Sequence, residues 1–163
     1  MTDTIRELNK ELNSFHEWTK SIFLHPNPQK TKAMTFGPRS VISSLDTADL
    51  PPIILDGVTI PLVSNVKNLG VYIDNKLSWE CHVSEVRKRV YYSLHTLSRF
   101  RKVFPKELKK RLIEALVLPL FDYCDVVYSP NLKVESQQSL QRAQNSCVRY
   151  VCNLRKFDRV SDH

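Results

Sequence analysis

Three glycines in 163 residues are few, and no glycine-rich loop is present whose backbone N–H groups could cradle a phosphate. No G-x-S-x-G occurs, so a serine nucleophile on a strand-to-helix elbow is excluded. The four cysteines, Cys81, Cys124, Cys147 and Cys152, make no C-x-x-C pair, and no histidine stands at finger-like spacing from them. Structural zinc wants closely spaced ligand pairs and is not indicated. The thiols read as buried and reduced, in keeping with an intracellular setting. His16, His25, His82, His95 and His163 fall in no catalytic motif, H-E-x-x-H included. No apolar run approaches the ~18 residues of a membrane helix. The N-terminal MTDTIRELNKE carries charge where a secretory signal would be apolar. The expectation is a protein of the nucleus or cytoplasm with no membrane partner.

What remains is an ordinary globular composition, 42% hydrophobic and 25% charged, which argues against wholesale disorder. The length allows one real core or one and a half small units. The charge is uneven. Arg87, Lys88, Arg89, Arg99, Arg101, Lys102, Lys106, Lys109, Lys110 and Arg111 lie within 25 residues that hold one acid, Glu107, and this excess is larger than the +7 of the whole chain. Such a cluster can neutralise phosphates by releasing counterions; a solvated basic helix face is the other reading.

Thr4 to Glu7 fits a capping box, and Ile5, Leu8, Leu12, Phe15, Trp18 and Ile22 recur at helical spacing, predicting a helix that ends near Ile22. Two prolines in PNPQK interrupt it. Thr31 to Phe36 alternates as a short strand, and 38–52 reads as a loop. In PIILDGVTI, Asp56-Gly57 between apolar runs predicts a hairpin. NVKNLGVYID supplies a further strand, with Leu69, Val71 and Ile73 as its buried face and Gly70 on the opposite face. Glycine there marks a bulge or a close approach of something else.

From Trp79 the period becomes 3.6. Val83, Val86, Val90, Leu94 and Leu97 trace one helix to about Phe100. Pro105 opens a second, with Leu108, Leu112, Ala115 and Leu116 as its stripe, and Pro119 breaks it. A third covers Gln137 to Leu154, with Leu140, Ala143, Cys147, Val148 and Val151 inward. In VYYSL, Tyr91 and Tyr92 read as core side chains or as base-stacking ones. Asp122 and Asp125 have the spacing of a carboxylate pair on one helix face, but FDYCDV around them reads as a half-buried helix end. The fold class is α+β, with two parts, 1–78 and 79–163.

Four ordered segments carry a resemblance. NPQKTKAMTFG (27–37), VKNLGVYIDNKLSWECHV (66–83), LVLPLFDYCDVVY (116–128) and LQRAQNSCVRYVCNLRKFD (140–158) together resemble the reverse transcriptases of non-LTR retrotransposons, jockey-like ones in particular. The resemblance implies the C-terminal part of a polymerase palm, a helix plus a small antiparallel sheet, followed by a helical thumb bundle. It implies a primer grip at Asn68, Leu69, Gly70 and Val71, where the bare face of Gly70 would admit a sugar–phosphate backbone; room for a neighbouring strand or for Tyr72 is the alternative. Lys30 would lie on the phosphate side of an incoming nucleotide, as a general acid to pyrophosphate, or be a solvated turn lysine. Arg87, Lys88, Arg89, Arg99, Arg101, Lys102, Lys109 and Lys110 would contact the backbone of an RNA template–DNA primer duplex.

In the parent family two Mg²⁺ ions are clamped by carboxylates, two of them from a Tyr-x-Asp-Asp turn. No such tetrapeptide occurs in this sequence. The implied chain is therefore a polymerase fragment with no catalytic residues or cofactor of its own, expected to be inactive by itself. With the rest of the palm elsewhere, exposed sheet edge and apolar surface are expected too. A small basic helical nucleic-acid-binding module without enzymatic activity is the alternative.

Overall fold

The amphipathic run at the N-terminus folds as α1 (Thr2–Ser21) in the computed structural model, which describes residues 2–38, 40, 42, 50–155 and 157–160. The chain divides into two compact units, Met1–Asn68 with Ile73–Leu77, and Leu69–Tyr72 with Ser78–His163. Both helices and antiparallel strand pairs are present, an α+β fold. Among the described residues no helix is long and apolar enough to cross a membrane.

In the first unit, α1 packs on β1 (Ile53–Leu55), which pairs antiparallel with β2 (Val58–Ile60) in the register Ile53 to Ile60 and Leu55 to Val58. Asp56 and Gly57 turn this hairpin at φ 52° and 72°. Positive φ at both central residues matches the right-handed twist of the strands. Leu55 and Ile60 are buried. Asn9 of α1 covers the edge of β1: its Nδ2 donates to Pro52 O at 2.9 Å and its Oδ1 accepts from Ile54 N at 2.9 Å. One amide side chain thereby does for β1 what a neighbouring strand would.

The structure departs from the sequence pattern here in three ways. The helix begins at Thr2, so Thr4 is inside it and caps nothing. Its apolar stripe buries Ile5 but leaves Leu8, Phe15, Trp18 and Ile22 exposed. Thr31 to Phe36 makes one isolated bridge, Ala33 with Leu62, because Pro61 in the facing segment has no N–H to extend the ladder. Most of the 38–52 loop lies outside the described residues.

β3 (Asn65–Asn68) and β4 (Val71–Asp74) form a second hairpin. The second unit then runs α2 (Glu80–Ser98), α3 (Lys106–Leu116), α4 (Leu118–Asp122), α5 (Asp125–Tyr128), a 3-10 turn (Ser129–Asn131) and α6 (Val134–Val151). The expected stripe of α2 is buried in full: Val83, Val86, Val90, Leu94 and Leu97. The core joins it to Ile113, Val117, Phe121, Ala143, Cys147 and Tyr150. In α3 the buried face is Lys109, Ile113 and, just beyond, Val117, while Leu108, Ala115 and Leu116 of the expected stripe are exposed. Pro119 does divide the segment, standing in the first turn of α4. Cys124, at φ 58°, separates Asp122 from Asp125 into different helices. They do not share a face. All four thiols are free; Cys147 is buried, whereas Cys81 is exposed and Cys124 and Cys152 are partly so.

Candidate nucleic-acid interface

Leu69 and Gly70 are the tip of the β3–β4 hairpin, not the middle of a strand. Their φ values, 47° and 89°, repeat the positive-φ pair of Asp56-Gly57, and this turn geometry is why a glycine stands there. The alternation read from NLGVYID therefore fails at its first member: Leu69 is 85% exposed, while Val71 is buried. The Cβ face of Gly70 is not open. An added methyl would meet Cε1 of Tyr123 at 3.4 Å, and the Tyr123 hydroxyl donates to Leu69 O. The close neighbour that the glycine admits is this ring. Within the same unit Tyr72 N donates to Nδ1 of His82 at 3.4 Å. His82 is buried edge-on to the Tyr128 ring, centroids 4.7 Å apart. Burial, and secondarily the Arg89 charge, push the imidazole below its ordinary pKa, which favours the neutral form that accepts the Tyr72 N–H. Tyr128 donates to Phe121 O at 2.8 Å, and burial with the nearby Asp125 and Asp122 pushes its phenol up to about 12.

Arg87, Lys88 and Arg89 are exposed, as are Arg99, Lys102 and Lys110. Consecutive positions on a helix point about 100° apart, and the structure divides the triplet accordingly. Arg87 lines an open groove of about 380 Å³ with Ser84, Ser136, Ser139 and Arg142, beside Glu80 and Glu135. Lys88 and Arg89 line another, of about 480 Å³, with Tyr92, Ser93, Leu116 and Leu120. Arg142 was not among the expected cations; its only sequence signal was its place on the outer face of an amphipathic helix. Glu85 lies 3.4 Å from Arg89 Nε and 4.0 Å from Lys88 Nζ.

Two expected backbone-contacting cations are committed elsewhere. Lys109 is 1% exposed; its ammonium donates to Asn153 Oδ1 at 2.8 Å and lies 5.8 Å from the Tyr150 ring centroid. Arg101 donates to Leu154 O at 2.9 Å and Arg149 O at 3.3 Å. These groups close the C-terminus of α6. Asn153 takes a positive φ of 57° and Leu154 N donates to Arg149 O, the Schellman pattern. Cations at a helix C-terminus complement its dipole. Lys109 and Arg101 therefore both leave the set of residues expected to face phosphate.

In the first unit Lys30 is an exposed turn residue, its N–H bonded to Asn27 Oδ1 and to Asn27 O. Among the described residues no group of three His, Cys, Asp or Glu side chains could hold a metal ion. These described donors do not fit a Mg²⁺ centre.

The arrangement defines a basic α+β protein in which a hairpin tip is pinned to a helical unit with cation-lined grooves. It is similar to the probable RNA-directed DNA polymerase from transposon BS of Drosophila melanogaster, 25% identical over 152 residues, covering 91% of this chain and 16% of that protein. This similarity relates the chain to a transposon reverse transcriptase. No protein-family model matches it, and no solved structure does.

Proposed function

We propose that the chain is part of a retrotransposon RNA-directed DNA polymerase, of the jockey-like type, and supplies surface for the template–primer duplex without the carboxylates of the catalytic turn. The observation that carries this is similarity along 91% of the chain to a transposon polymerase. In this reading the first unit is palm, the helices are thumb, and the β3–β4 tip is the primer grip. Leu69, exposed on that tip, and Asn68 meet the primer end, while Val71 anchors the strand and Tyr123 occupies the face of Gly70. Arg87, Lys88, Arg89, Arg99, Lys102 and Lys110 face the RNA–DNA backbone. Lys30 would serve incoming phosphates only in the intact enzyme.

Binding to a labelled RNA–DNA hybrid, followed by anisotropy across a salt series, tests the reading. Affinity should fall linearly on a log–log plot. Replacing Arg87, Lys88 and Arg89 together with Gln should weaken binding and flatten the slope by about one unit for each phosphate no longer neutralised, with no change in sequence preference. Salt-insensitive binding, or a triple variant that matches the parent, would refute it.

A further inference from the structure

The groove beside Lys88 and Arg89 has a floor that a purely electrostatic surface does not need. Positions 88, 89, 92 and 93 are about one turn apart and share one face of α2. Opposite them stand Leu116, at the end of α3, and Leu120 of α4. Tyr92 is 75% exposed, and Leu116 is exposed as well. One flat aromatic ring, two leucines and two cations thus line an open space of about 480 Å³. The complement is a ligand that is planar and apolar at one end and anionic at the other. Glu85 partly neutralises the cations, but surface ion pairs of this kind are weak and exchange readily for a phosphate.

We propose that this groove holds an unpaired nucleotide. Its base stacks on Tyr92 beside Leu116 and Leu120, and its phosphate lies on Lys88 and Arg89. The inference rests on the duplex-binding reading above and extends it: the groove takes a single-stranded tail that continues from the bound hybrid. Interior base pairs are stacked on both faces, and a blunt end offers a whole base pair rather than a single base, so a groove sized for one unpaired base distinguishes tail from duplex.

The test compares a blunt RNA–DNA hybrid, the same hybrid with a short unpaired tail, and the tail oligonucleotide alone, at one salt concentration. The tailed hybrid should bind roughly tenfold more tightly than the blunt one, in the lower part of what stacking on an aromatic side chain supplies. In Tyr92→Ala the ratio of tailed to blunt affinity should fall to about one, and in Tyr92→Phe it should persist. Circular dichroism melts establish that the variants are folded. An equal ratio in Tyr92→Ala and the parent, or no tail advantage in the parent, overturns the proposal. So does an oligonucleotide whose binding ignores Tyr92, as expected if the groove takes an apolar peptide. Tyr92-dependent binding of the oligonucleotide and of the tailed hybrid, without any binding of the blunt hybrid, would uphold the groove and sink the duplex-binding reading.

Discussion

Gly70 shows how one residue type admits two explanations that only backbone angles separate. A bare strand face and a positive-φ turn both call for glycine, but they predict different substitution patterns. At φ 89° any Cβ is strained, costing about 1–2 kcal/mol for an ordinary residue. Asparagine tolerates that region through local hydrogen bonds, although it carries the same Cβ toward Tyr123. Gly70→Ala should therefore destabilise the protein by about 1–2 kcal/mol in urea unfolding, and Gly70→Asn by clearly less. Equal losses would mean that the Tyr123 contact, not the turn, governs the position. The same distinction moves the primer-grip reading from a bare backbone to the projecting Leu69 side chain.

At the scale of elements, the long signals were legible and the short ones were not. The α2 stripe from Val83 to Leu97 repeats five times, so any one exception is outvoted, and Asp56-Gly57 is a turn whose chemistry is local. The NVKNLGVYID hairpin has four residues per arm, and shifting the turn by one residue reverses every face; alternation alone could not place it. The cationic cluster misled for a related reason. Lys109 and Lys110 look equivalent in sequence, yet only tertiary structure brings the C-terminus of α6 to one of them. Their substitutions should separate. Lys109→Ala loses a charge-assisted hydrogen bond and a buried stem, and should cost about 2–3 kcal/mol without weakening hybrid affinity for the folded fraction. Lys110→Ala should change the unfolding free energy in urea by no more than about 0.5 kcal/mol and weaken binding. Reversed outcomes would show that the buried and exposed cations have been assigned the wrong way round.

At the scale of the molecule, the two units differ in how well they bury their apolar residues. The helical unit buries ten residues in one cluster, whereas the first unit leaves Leu8, Phe15, Trp18, Ile22, Phe23 and Leu24 exposed along and after α1. Single exposed apolar side chains are normal, but a stripe of six is an interaction surface or an aggregation liability. The chain spans 16% of the length of the polymerase it resembles. Alone, it should associate with itself. Sedimentation velocity over a concentration series should show mass rising with concentration, and Phe15→Ser with Trp18→Glu should restore the monomer at modest cost in stability, because both side chains are already about half exposed. The two tryptophans give a second readout: Trp79 is buried in the helical unit and Trp18 exposed in the other. Iodide should quench Trp18 less as concentration rises and leave Trp79 unaffected throughout. A parent chain that sediments as a monomer at every concentration would show that the stripe does not drive association.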